Sequence, residues 1–375
     1  MVPTLQADPG EPGGDARISL TITVIAVLVF GSVGAFVGYR LPVPAGVLVG
    51  TLVGVGVASV LLTVLLGLPQ PSVPSFVNAL LQIMLGMLVG FRMTREELRS
   101  GVPALIPASL ATAVLVFSAI GSALLVVPFT SVDIVTALFA AAPGGLTEMS
   151  VVSVGFGADG AAVAAVQLVR VLLALVVINM LLRRFESKGG SEPASHNQEQ
   201  DSARTDSTRP AEHIKGLGVA APWGILGGLA GIVSSAPAGG IIGALIGSAA
   251  FRLLSERPVP VRKFQLGVQA LGGGVIGLSV SSNFLSELVW HAGAWALILF
   301  TQMLLWLTLG WLLVRLFRYD LSTATLASTP GGMSAVISTA GPAGADVVIV
   351  TFFHLMRLST IIVVVPVLVA LIFGR

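Results

Sequence analysis

Residues 133–170 read DIVTALFAAAPGGLTEMSVVSVGFGADGAAVAAVQLVR, and residues 320–357 read DLSTATLASTPGGMSAVISTAGPAGADVVIVTFFHLMR. Laid on one another without a gap, they agree at thirteen of 38 positions. The matches place Asp133, Pro143, Gly144, Gly145, Asp159 and Arg170 on Asp320, Pro330, Gly331, Gly332, Asp346 and Arg357. The same offset of 187 puts Gln82-x3-Gly86-x3-Gly90 on Gln269-x3-Gly273-x3-Gly277. An offset of 193 puts Pro44-Ala45-Gly46-x3-Gly50 on Pro237-Ala238-Gly239-x3-Gly243. Chance likeness between Ala/Gly/Val-rich helices accounts for blocks of the last two kinds. It does not account for Asp, Pro-Gly-Gly, Asp and Arg at one register. The protein is a duplication.

The environment of the two copies follows from composition. Of 375 residues, 55% are hydrophobic and 10% charged, and the mean hydropathy is +0.95. A soluble domain carries about 25% charged residues. Residues 18–39, 41–91, 100–132, 216–251, 264–286 and 321–345 hold no Asp, Glu, Lys or Arg, and uncharged apolar runs of about 18 or more residues read as membrane-spanning helices. A large soluble enzyme, a nucleic-acid binder and a disordered protein are excluded. With no Cys there are no disulfides or thiolate sites, and His196, His213, His291 and His354 show no metal-ligand spacing. No metal site is expected. No basic residue precedes the first apolar run within Met1–Asp15, so that run is expected to stay as a span and not to be cleaved.

From Arg183 to Lys215 six basic and six acidic residues lie in a polar stretch, which reads as a solvated linker. The expected organisation is a tail over 1–17, a first membrane repeat over 18–185, a cytoplasmic linker over 186–215 and a second repeat over 216–375. Lys and Arg flanking spans mark the cytoplasmic side. In the first copy the loop at 92–99 holds Arg92, Arg95 and Arg99; the equivalent region near 280–290 holds none, and the basic residues lie instead at Arg252, Arg257, Arg262, Lys263, Arg315 and Arg318. Equivalent loops carry opposite bias, so the copies are inverted. Inversion needs an odd number of crossings per copy. That count closes if 133–157 and 321–343 dip in and return, broken at Pro143 and Pro330, where helical hydrogen bonding fails. Re-entrant segments are tolerated where they face protein or water. The expected fold is therefore all-α: a polytopic membrane protein of two inverted repeats, each with about five transmembrane helices and one re-entrant broken-helix hairpin. The expected spans are 18–38, 43–67, 76–93, 103–127, 160–183, 217–235, 238–254, 265–283, 291–316 and 346–372.

A helix arm that starts at Gly145 or Gly332 leaves its first N–H groups unpaired near mid-membrane, with the positive end of its dipole. Such an end suits an anion, and broken helices meeting at the midplane recur in secondary transporters. Gly144, Gly145, Gly331 and Gly332 form the tips, with Thr147, Ser150, Ser334 and Ser338 in the first turns behind them. The bland alternative is that Pro-Gly-Gly only lets helices pack closely. Arg170 and Arg357 fall near mid-depth of the last span of each copy, where a charge must face protein or water. They either bind an anionic solute or pair with Glu148, Asp159 or Asp346. Gln167 and His354 occupy one equivalent position a turn earlier, and Glu148 is matched by Ala335. That asymmetry suggests coupling through Glu148, Gln167 or His354, or drift after duplication. Asp133, Asp159, Asp320 and Asp346 read as helix N-caps. Gln82 and Gln269 read as packing residues that could line a path.

At Ala142-Pro143-Gly144-Gly145-Leu146-Thr147-Glu148-Met149 and Thr329-Pro330-Gly331-Gly332-Met333-Ser334 the sequence resembles the membrane AbrB duplication family, whose members carry labels such as transcriptional regulator and ammonia monooxygenase. The resemblance covers both apolar halves. The labels imply a DNA-facing basic element or a metal cluster, and the sequence offers neither. The functional expectation is a secondary transporter of the bacterial inner membrane for a small anionic or zwitterionic solute, such as an amino acid or carboxylate, bound between the tips. A membrane sensor that acts indirectly on gene expression is the alternative. No catalytic residue, cofactor or nucleic-acid partner is expected. The partners are the solute and the bilayer, coupling by H⁺ or Na⁺ stays open, and so does a homo-oligomer.

Overall fold

The computed structural model describes residues 14–70, 73–186, 210–255 and 257–374. The first thirteen residues of the expected tail and 187–209 of the expected linker lie outside these. Among the described residues each repeat supplies eight α-helices. In the first they are α1 (Gly14–Arg40), α2 (Gly46–Leu66), α3 (Ser75–Gly90), α4 (Arg95–Gly101), α5 (Leu105–Val126), α6 (Ile134–Ala141), α7 (Leu146–Gly155) and α8 (Gly160–Glu186). In the second they are α9 (Pro210–Val233), α10 (Gly239–Leu254), α11 (Val261–Leu278), α12 (Phe284–Trp290), α13 (Ala292–Phe317), α14 (Leu321–Ser328), α15 (Met333–Ala340) and α16 (Val347–Phe373). Among the described residues there is no strand. Among the described residues seven segments are long and apolar enough to cross a membrane, and the protein is a multi-pass membrane protein. Helix takes both ends of the expected linker. Helix α11 lies about one turn earlier than expected, at 261–278 instead of 265–283.

Two short helices were not foreseen. Helix α4 begins with a reciprocal cap, in which the Thr94 hydroxyl accepts from the Glu97 amide at 3.2 Å and the Glu97 carboxylate accepts from the Thr94 amide at 3.1 Å. Its counterpart α12 occupies the matching place before α13.

Glycine sets the closest helix pairs. Gly34 and Gly38 of α1 lie against Gly46 and Gly50 of α2, and a Cβ on any of them would run into a main-chain oxygen of the partner helix. Gly227 and Gly231 of α9 meet Gly239 and Gly243 of α10 in the same way. Lipid supplies no hydrophobic drive between helices, so such contact distance is what holds them. The duplication extends to backbone angles: Ala45 and Ala238, the residues before α2 and α10, both adopt the left-handed region, at φ 51° and 53°.

The inversion can be read from contacts between repeats. Gly86 of α3 faces Ile241 and Ala244 of α10, and Gly90 faces Leu245 and Ala249, so α3 and α10 run parallel. Gly273 and Gly277 of α11 meet Leu48 and Leu52 of α2 in rising order, so α11 and α2 are parallel too. The end of α3 adjoins the start of α11, where Phe91 meets Phe264 edge-on and Arg92 donates to Gln265 at 3.0 Å. Helices α2 and α3 are therefore antiparallel, and α10, the second-copy equivalent of α2, points the opposite way. Repeat packs on repeat through these crossed pairs.

Candidate functional site

Helices α6, α7, α14 and α15 have eight, ten, eight and eight residues, or ~12–15 Å each at 1.5 Å per residue, half a bilayer core. Each pair folds back on itself. The amide of Asp159, at the start of α8, donates to the Thr136 hydroxyl in the first turn of α6 at 3.0 Å. The amide of Asp346 donates to Thr323 at 2.7 Å in the second copy. The backbone thus leaves each hairpin at the level where it entered. All four aspartates cap helices: Asp133 accepts from Val135 and Thr136, Asp159 from Ala161 and Ala162, Asp320 from Thr323, and Asp346 from Val348 and Ile349, at 2.8–3.2 Å.

The tips are held from behind. Arg170, eleven residues into α8, donates through Nη1 to the carbonyl of Ala142 at 2.8 Å and through Nη2 to that of Gly144 at 3.1 Å. Arg357 repeats both bonds at the equivalent Thr329, 2.7 Å, and Gly331, 3.5 Å. These carbonyls are left over where α6 and α14 stop, so the guanidinium groups cap the C-terminal ends of those two helices. Gln167 donates to the carbonyls of Phe139 and Ala142, each at 3.0 Å, and accepts from Arg170. His354 does both jobs in the second copy. Its Nδ1 accepts from Arg357 at 2.8 Å, and its Nε2 bonds the Leu326 carbonyl, the equivalent of Phe139, at 3.0 Å. Because guanidinium can only donate, Nδ1 carries the lone pair and Nε2 the proton. Both ring nitrogens of His354 are thereby engaged, as both ends of Gln167 are.

The ion pairs considered for Arg170 and Arg357 do not form among the described residues. Glu148 pairs instead with Arg92, at 3.5 Å. The two buried guanidinium groups have no described carboxylate in ion-pair contact with them. Each keeps one donor, Nε, buried with no partner among the described residues.

Both tips open on one cavity of about 170 Å³. The first hairpin contributes Pro143, Gly144, Gly145, Thr147 and Glu148, and the second Gly331, Gly332 and Met333; His354 and Arg357 also reach it. The walls are completed by Pro44, Ala45, Arg92, Gln265 and Gln269. Ala45 begins α2, Arg92 follows α3 and Gln265 lies in the first turn and a half of α11, so the cavity runs from the tips to the membrane face where those ends meet. Arg40, Arg95, Arg252, Arg262 and Lys263 stand at helix ends on that same face. Arg170, Gln167 and Ser150 lie behind the first tip and do not line the cavity. The side chains of Ser334 and Ser338 lie outside the described residues. Arg92 and Gln265 were not foreseen as lining residues. Arg92 served in the sequence only as a marker of sidedness, although an arginine ending a span on the path of a broken helix is a signal in itself.

A family model described as Transition state regulatory protein AbrB matches residues 2–186 and again residues 188–373. A curated relative, the uncharacterized protein YhjN of Bacillus subtilis (strain 168), is 30% identical over 145 residues, covering 36% of this chain and 38% of that protein's length. No solved structure matches. The two family matches meet at the boundary between the copies and leave almost no residue unclaimed: the chain belongs to the AbrB family.

Proposed function

We propose that the protein is a secondary transporter of the bacterial inner membrane, carrying a small anionic or zwitterionic solute such as a carboxylate or amino acid through the space between its hairpin tips. The observation that carries this reading is the meeting of two tips, from oppositely oriented repeats, at one buried cavity open toward the basic face. Two guanidinium groups with no described carboxylate in ion-pair contact and the amide ends of α7 and α15 make that space electropositive. The reading includes no catalytic residue and no resident cofactor. Among candidate coupling ions H⁺ is favoured. Glu148 faces the cavity, whereas the tip carbonyls that would take Na⁺ are already engaged by Arg170 and Arg357.

A sensor is the second reading, and the description of the family as regulatory favours it. Such a protein would bind the solute without moving it. Purified protein in proteoliposomes separates the two. Uptake or exchange of labelled small carboxylates or amino acids under an imposed H⁺ or Na⁺ gradient supports transport. Saturable binding with no uptake under either gradient rejects it and leaves the sensor.

A further inference from the structure

We infer that the second tip is the seat of the solute's carboxylate, and that Glu148 occupies the corresponding seat at the first. The inference rests on the reading of a solute site between the tips and narrows it to small monocarboxylates.

Glu148 is the third residue of α7, whose N-cap Gly145 has no side chain to offer. Its carboxylate folds back over Gly145, where Oε2 fills the place a Cβ would take. The first copy thus places a carboxylate of its own beside its tip glycine in the first turn of α7, where the positive end of the helix favours a negative charge. The second copy has the same Pro-Gly-Gly entrance and the same uncapped glycine, Gly332, but Ala335 stands where Glu148 would be. No described atom lies within 4 Å of the Cβ position at Gly332.

One further group on the cavity wall can take a partner. Gln269 lines the cavity and makes no side-chain hydrogen bond to the described residues, so its amide is free to donate to a solute. An acceptor over Gly332 would serve the helix end, and a second oxygen would serve a side-chain donor. Charge limits the rest of the molecule. A second carboxylate would meet Glu148 and be repelled.

The test uses the full-length protein purified in detergent, with thermal unfolding followed against acetate, propionate and butyrate; chloride and succinate at matched ionic strength are the comparison arms. Saturable stabilisation by the monocarboxylates alone is expected. Ala335→Glu should raise their apparent Kd about tenfold or more, because a tethered carboxylate competes at high effective concentration; Ala335→Gln should do so far less. If Ala335→Glu does not fold, Ala335→Cys in this otherwise cysteine-free protein replaces it, and monocarboxylates should slow its reaction with a maleimide. Stabilisation unaltered by Ala335→Glu, or an Ala335→Cys thiol that monocarboxylates do not protect, overturns the seat while leaving a solute site standing. An equal effect of chloride overturns the carboxylate class, and an equal effect of succinate overturns the restriction to one carboxylate. Wild type indifferent to every anion rejects the solute site itself.

Discussion

Arg170 caps the helix that ends at Ala142: its Nη1 donates to the Ala142 carbonyl at 2.8 Å, across 28 residues of sequence. Arg170→Ala should therefore act on stability. It removes a donor from the Ala142 carbonyl, which keeps Gln167, and leaves the Gly144 carbonyl without its side-chain donor, and should cost about 1–3 kcal/mol. Arg170→Lys, with a point charge and no fork, should recover part of that. Chemical or thermal unfolding in detergent reads the difference. An Arg170→Ala protein as stable as wild type would remove the capping role.

His354 and Gln167 do one job with different chemistry, which yields a sharp comparison. His354→Gln should fold with a loss under about 1 kcal/mol, because Gln167 already bonds the equivalent carbonyl and the equivalent arginine. His354→Ala leaves Arg357 and the Leu326 carbonyl each short of a partner and should cost about 2 kcal/mol. Similar melting of the two variants would contradict the equivalence.

The caps of the last spans can be told from ion-binding carboxylates by charge. Asp159→Asn and Asp346→Asn keep the acceptor and should be nearly neutral, whereas the Ala variants should each lose about 1 kcal/mol. A large loss in the Asn variants, seen in the same unfolding assay, would point to a need for the negative charge.

Glycine at a contact and glycine in lipid should answer oppositely to the same change. Gly50→Ala puts a methyl into the backbone of Gly34 and should cost about 1–3 kcal/mol. Gly121→Ala, in α5, meets nothing within 4 Å and should gain about 0.5–1 kcal/mol from helix propensity. Paired melting curves settle the sign of each.

Sidedness can be measured with single cysteines and a membrane-impermeant maleimide. Substitutions at Gln269, in the cavity, and at the exposed Arg257 should label from the basic, cytoplasmic face. One at exposed Gln70 should label from the opposite face. Labelling of positions 70 and 257 from one side would break the inverted arrangement.

Much of this architecture was legible because duplication wrote it twice. Paired prolines located the hairpin breaks, four aspartates announced helix starts, and arginine-bearing loops gave the opposed orientation of the copies. The partners of Arg170 and Arg357 were not legible. A buried arginine invites a search for carboxylates among side chains, while the acceptors here are carbonyls that exist only because Pro143 and Pro330 end a helix at that depth. Helix α4 was missed despite the Thr94-x-x-Glu97 spacing, since apolar length dominates the reading of membrane segments. The difference between Gln269, on the cavity, and Gln82, packed near Gly240 and Gly155, was also hidden. Equivalent residues in the two copies carry the same pattern, and only the tertiary arrangement separates them.

Each hairpin is fastened at two levels to the helix that follows it, at its base by Thr136 or Thr323 and at its tip by Arg170 or Arg357. Two anchor points some half a bilayer apart leave such a segment no freedom to swing alone. Helix α8 with its hairpin is one stiff lever, and α16 with its own is another. On the transport reading, passage of a solute past the tips would come from slippage of these levers against their neighbours, with the elbows themselves riding as fixed parts.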